Sequence, residues 1–183
     1  MKKIFVVQFK GHFGFIKPWT AVRDELTFSQ QFLSPSTIEG MEKKLFPELL
    51  LKKGLKKIKR YKLSYSNITE QQETTQAPGW EFSKKNQNFN RNRSILTRGY
   101  LLYPTLHLGF KNIEDAQIAA SQHLCLCRNE DLIFPSPNIE SMTIKKFNKI
   151  SGFEFVKSED GFLAGFNRFN NNQPMNGKIE YVG

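Results

Sequence analysis

The sequence predicts an α+β domain of ferredoxin-like, RNA-recognition-motif-like βαββαβ layout, with a long polar insertion and a small C-terminal extension of strand and loop. Three observations lead there. Short β-branched and aromatic runs alternate with two helical patterns in the order strand, helix, strand, strand, helix, strand. A chain of 183 residues suits one such domain carrying an insertion. Finally, the stretch 69–93 is aperiodic and longer than an ordinary connection inside a compact domain.

The first strand is KIFVVQF (3–9), ended by Gly11. A loop, GHFGFIKPWT (11–20), leads to an extended piece at 24–32. The first helix opens at 34–37: Ser34 or Ser36 caps, Pro35 suits the first turn, and Glu39 sits three residues after Ser36 as in a capping box. Pro47 ends or kinks that helix. KKIKRYKLSYSNI (56–68) alternates as a strand, and 94–110 is extended, with Pro104 marking an edge, a bulge or a break. The second helix spans 112–124, capped by Asn112. A Pro-rich loop (134–138) precedes a hairpin over 152–166 that turns near Asp160-Gly161, and the Asn-rich tail 167–183 is expected to be loosely held until its last residues.

Composition excludes several classes. Aromatics make up 13% and include 17 Phe, too much apolar surface for a disordered chain. No apolar run approaches the roughly 18–20 residues of a spanning helix. The opening MKKIFVVQFKG has too short an apolar stretch for a signal peptide, cut by Gln8 and Lys10. Two close cysteines, Cys125 and Cys127, make no disulfide framework, so a reduced, cytoplasmic protein is expected.

The net charge of +10 is unevenly placed: residues 43–62 carry +8, residues 83–98 carry +5, and the rest sums to −3. Clustered cations suit a polyanion. For the lysine run a solvated face is an equal reading. The second cluster mixes Arg91, Arg93 and Arg98 with Asn and Phe, the donors and stacking surface suited to nucleic acid.

Enzymatic motifs are absent: there is no GxxxxGK[ST], GxSxG or HExxH. His123, Cys125 and Cys127 lack a fourth ligand for a closed zinc site, so neither a metal nor a cofactor is expected. His12, with Lys10 or Tyr61, is the candidate base for an alternative reading as an RNA-cleaving enzyme. The segment 10–28 sets Phe13, Phe15 and Trp19 among Lys10, His12, Lys17 and Arg23, so that aromatics can stack on unpaired bases while cations hold phosphates. Ser36 and Thr37, at a helix start with free N–H groups, suit a phosphate.

The run VVQFKGHFGFIKPWTAVRDELTFSQQFLSPSTIEGMEKKLF (6–46) resembles the N-terminal signature of the CRISPR-associated Cas five family. The matching pieces are Gly11, Phe13, Gly14, Phe15, Lys17 and Pro18, then Leu26-Thr27-Phe28, then Ser34 to Ile38 with Gly40. The remainder of the chain agrees only in layout. The resemblance implies a non-catalytic subunit of a Cascade-type effector complex, an antiviral ribonucleoprotein. Such a subunit grips the 5′ handle of crRNA and caps the filament of Cas seven subunits. Its further partners are a large subunit or effector nuclease, with target nucleic acid met only indirectly. In one subtype the family itself processes pre-crRNA as a metal-independent endoribonuclease, the alternative here. On this resemblance the insertion 69–93 is thumb-like, with Trp80, Phe82 and Phe89 as wedge candidates and Arg91, Arg93 and Arg98 holding backbone at its base. Residues 43–62 face nucleic acid, a neighbouring subunit or solvent.

Overall fold

Alternation along the first strand sets the two faces of the molecule. In the computed structural model, which describes residues 3–18, 25–76 and 79–183, β1 is Lys3–Lys10. Its Val7 and Phe9 enter the main core, while Ile4 and Val6 join a smaller cluster with Met142 and Phe147. Next come β2 (Phe13–Gly14), β3 (Leu26–Phe28), α1 (Pro35–Leu45), β4 (Ile58–Ser64), β5 (Asn67–Gln76), β6 (Glu81–Ser83) and β7 (Asn88–Asn90). The second half holds β8 (Arg93–Leu102), β9 (Thr105–Phe110), α2 (Ile113–Ala120), β10 (Leu124–Cys125), β11 (Leu132–Thr143), α3 (Ile144–Asn148), β12 (Gly152–Asn167) and β13 (Gln173–Val182). The class is α+β, mostly strand.

Among the described residues the main sheet runs β10-β11-β1-β9-β4-β12-β13, and neighbouring strands are antiparallel throughout. Ile38, Met41 and Leu45 of α1 bury in the same cluster as Ala116 and Ala119 of α2. The opposite face is partly covered by α3, through Phe147.

Ser34 caps α1, its Oγ accepting the Thr37 N–H at 3.3 Å, and Pro35 takes the first turn. Glu39 does not close a capping box. It is buried with Glu42, and the two carboxylates fasten the helix to the chain that follows. Glu42, 1% exposed, accepts the backbone N–H groups of Lys56 at 2.9 Å and of Lys57 and Ile58 at 2.7 Å each, fixing the entry to β4. Glu39 accepts the Gly54 N–H, the Lys43 ammonium and the Asn167 amide.

The segment expected to be aperiodic is a strand pair. β5 and β8 align without a break from Asn67↔Leu102 to Gln76↔Arg93, and β6 pairs with β7 beyond them. This arm has little core of its own, which is why its side chains show no apolar alternation. Its foot is held by backbone pairing of β8 with β2 and, in parallel, with β3. A cluster of charge completes the attachment. The Arg128 guanidinium, from the loop between β10 and β11, donates to both oxygens of Asp131 (2.9 and 2.7 Å), to Glu73 of β5 (3.2 Å) and to the Tyr100 hydroxyl of β8 (2.8 Å). Arg98 of β8 donates to the other Glu73 oxygen at 2.9 Å.

The C-terminal third departs from the expectation in two ways. The prolines of 134–138 lie not in a loop but in β11, the strand beside β1. The chain does not turn at Asp160-Gly161 either. β12 bulges there and continues to Asn167, and the reversal falls at 168–172, where Asn171 and Asn172 adopt positive φ of 49° and 53°. Gly161 serves close approach, since a Cβ on it would lie 2.1 Å from the Gly177 carbonyl oxygen. The Asn-rich tail is β13, paired along β12. The second helix stops at Ala120, and Leu124 belongs to a strand.

Two predictions follow from the attachments. Glu42→Gln weakens three charge-assisted bonds at a buried site and is expected to cost about 2–3 kcal/mol, lowering Tm by about 4–12 °C. Glu48→Gln, at an exposed partner of Lys57, leaves Tm unchanged in the same scan. Burial pushes the Glu73 carboxyl up, but the Tyr100 hydroxyl and the Arg98 and Arg128 guanidiniums outweigh it and hold the group below the ordinary 4.5. A folded pKa below the unfolded one means this contribution is complete above pH 4.5 and is lost as pH falls below it. Hydrogen exchange followed between pH 6 and 3 should show the arm, 67–76 and 93–102, losing protection before β1 does.

Candidate nucleic-acid interface

The arm tip gathers three exposed aromatic side chains. Phe82 and Phe89 face each other across the β6–β7 pair with ring centroids 5.1 Å apart, and are 53% and 60% exposed. Trp80 is 64% exposed, with the Arg91 guanidinium 5.2 Å from its ring centre and an Arg91 N–H 3.4 Å from the Gln76 side-chain oxygen. Arg93, at the start of β8, is exposed, and Lys84 and Lys85 lie on the turn between β6 and β7. Rings and cations thus alternate on one projecting end, an arrangement that accepts a stacked base and its phosphate.

The base of the arm adds a second group. β2 pairs with β8, which brings the loop after β1 against the arm, and the Phe13 ring meets Tyr100 edge-on at 6.4 Å. Phe13 is part-exposed and His12 exposed, the latter with its ring against Tyr103 at 6.4 Å. Lys10 and Lys17 are exposed on either side. Gly14 permits the close packing here: a Cβ on it would meet a Leu126 methyl at 2.4 Å. Ser36 and Thr37 are half-buried at the α1 start, where Thr37 bonds the Ser34 hydroxyl at 3.0 Å. Trp19 and Arg23 lie outside the described residues.

Two expectations need correction on geometry. Phe15 is 3% exposed, with the guanidinium carbons of Arg98 and Arg128 at 5.4 and 5.6 Å from its ring centre. A ring so buried offers no face to a base, and Arg98 is committed to Glu73 and Phe15. The lysine run divides between internal fastening and open surface. Lys43 pairs with buried Glu39 at 3.0 Å, Lys57 with Glu48 and Asp115 at 2.8 and 3.0 Å, and Arg60 with Glu154 at 2.6 Å. Lys62, only 2% exposed, donates to the carbonyls of Asn148 and Ile150. Lys44, Lys52, Lys53, Lys56 and Lys59 remain at the surface, where Lys53 reaches the Asn171 side-chain oxygen at 3.0 Å.

No group of His, Cys, Asp or Glu side chains among the described residues is placed to hold a metal ion. Cys125 Sγ lies 3.8 Å from the Asn129 carbonyl oxygen and His123 packs on Phe134. Among the described residues no helix is long and apolar enough to cross a membrane. Sequence reasoning missed Arg128, which lies far along the chain from the arm residues it binds. The only signal was its place in R-N-E-D (128–131), where a basic residue precedes a buried aspartate.

Neither a protein-family model nor a curated protein matches this sequence. Solved structures do. One chain of a "CRISPR RNA-guided surveillance complex" superposes with a TM-score of 0.54 at 8% identity, covering 98% of this chain and 90% of that one. A chain of a Type III-B Cmr-beta complex bound to cognate target RNA and AMPPnP matches with a TM-score of 0.49 at 9% identity, covering 97% of this chain and 84% of that one. Over nearly its whole length, this chain therefore shares the fold of a chain found in a CRISPR RNA-guided surveillance complex.

Proposed function

We propose that this protein is a non-catalytic, Cas five-like subunit of a CRISPR effector complex, binding the 5′ handle of crRNA and capping a filament of Cas seven subunits. The observation that carries the reading is the shared fold across 98% of the chain, joined to the ordered motif set of residues 6–46. The strand order supports it. Taking β1, β4, β9 and β11 as first to fourth, the central sheet reads fourth-first-third-second, with α1 and α2 packed into one core. We read that unit as RNA-recognition-motif-like. The β5–β8 arm is then the thumb, with Trp80, Phe82 and Phe89 as its wedge and Arg91 and Arg93 meeting backbone. Phe13, His12, Lys10 and Lys17 meet the handle at the arm's base.

The test is titration of labelled cognate repeat RNA with the purified chain in EDTA across a salt series. The reading expects binding that weakens steeply with salt and RNA that stays intact. Arg93→Ala should reduce the salt slope by about 0.7, and Trp80→Ala should weaken binding by about 5–150-fold, the effect of losing one stacked base. Cleavage in EDTA that disappears in His12→Ala would replace this reading with the endoribonuclease one. Absence of binding at low salt would remove both.

A further inference from the structure

The sheet face turned away from α1 and α2 carries a recess of about 550 Å³, inside the range of about 300–1,000 Å³ typical of small-ligand sites. Backbone register creates it. β11 pairs with β1 from Thr143 to Ile139, slips, and resumes at Pro135 opposite Phe9, so Ser136, Pro137 and Asn138 bow outward opposite the single residue Gln8. Gln8 lies beside His107 of the next strand, and Lys62 lies beyond His107. Val6, Met142 and Ile150 make the apolar part of the lining. Lys146 and Lys149 stand at the α3 side, and Glu140 faces Lys146 at 3.7 Å.

The polar groups in the recess have a defined order. The Gln8 amide nitrogen is 3.0 Å from His107 Nε2. With the amide donating, the imidazole orients Gln8 and leaves its oxygen and second N–H side by side. His107 Nδ1 is buried without a hydrogen-bond partner. Burial lowers the ring's pKa, with Lys10 and Lys62 acting in the same direction and Glu140 opposing them, so the imidazole is neutral at pH 7. Asn138 presents a second amide from the bulge, beside Ser136. Paired amide donors and acceptors over an apolar floor match the edge and face of a nucleobase, as Gln and Asn match adenine N6 and N7. Lys146, offset by Glu140, and Lys149, with no ion pair among the described residues, supply charge for its phosphate.

We infer that this recess holds one unpaired nucleotide, its base read by Gln8 and Asn138 and its phosphate met by Lys146 and Lys149. The inference rests on the RNA-binding reading but concerns the sheet face opposite α1 and α2, separate from the arm. His107 is a positioning residue in it, acting through Gln8.

Ten-nucleotide RNAs of A, U or C are titrated against the full chain and against three variants: Gln8→Leu, Asn138→Leu and the double Lys146→Gln/Lys149→Gln. The inference expects wild type to rank the three oligomers and each amide variant to shrink the tightest-to-weakest ratio about tenfold, without changing the salt slope. The double lysine variant should lower that slope by about 1.4 while keeping the ranking. Asn138 and both lysines are exposed, so their variants remain informative if Gln8→Leu folds poorly. Binding that is tight in wild type and unchanged in Asn138→Leu and the double lysine variant overturns the recess and leaves the RNA-binding reading standing. No binding of any oligomer by wild type overturns both.

Discussion

The arm's position depends on one guanidinium. Arg128 answers the fully buried carboxylate of Asp131 and, with its remaining N–H groups, reaches Glu73 and Tyr100 on the two strands of the arm. A carboxylate with 0% exposure is tolerable only with such a partner. The bidentate grip on Asp131 therefore fixes where the rest of the guanidinium points. Phe15 lies beneath it and beneath Arg98, so the loop after β1, the arm and the β10–β11 loop meet at a single node. Without that node the arm keeps its backbone pairing, the burial of Leu101 and the partial burial of Ile68 at the foot, while the outer parts of β5 and β8 bury too little to orient it.

This arrangement divides the positive charge by role. The lysine-rich segment looks like the polyanion surface when read as sequence, yet Lys43, Lys57, Arg60 and Lys62 each answer a carboxylate or a pair of carbonyls within the fold. Two acidic side chains of α1, Glu39 and Glu42, organise the same region by taking backbone N–H groups from the chain leading into β4. Charge open to a partner lies on the rest of that segment, at Lys44, Lys52, Lys53, Lys56 and Lys59, and also at the arm tip, around the loop that begins at Lys10, and along the rim near α3.

Much of the fold was legible from local rules. The Ser34-Pro35 start of α1, the break at Pro104 and the strand character of residues 3–9 follow from capping, proline chemistry and β-branched runs, which act within a few residues. The illegible parts depend on partners far along the chain. β11 carries Pro135 and Pro137 because β10 pairs only with Leu132 and Ile133, leaving the prolines on a locally free edge. Asp160-Gly161 resembles a hairpin turn, but its glycine admits the Gly177 backbone instead. β5 hides because a strand that buries no residue on either face needs no alternation, whereas its partner β8 falls, all but Arg93, within the segment 94–110 read as extended. At the candidate site, Trp80, Phe82 and Phe89, named through the resemblance, are exposed. Phe15 is not, since the guanidinium that buries it comes from more than a hundred residues away.

The most direct test is ultraviolet cross-linking of the full chain to its cognate repeat RNA, with the adducts located by mass spectrometry. The account predicts cross-links on Trp80, Phe82 or Phe89 at the arm tip and on Phe13 at its base, with none on buried Phe15. Cross-links confined to the lysine-rich segment 43–62, or no specific adduct at all, would contradict it.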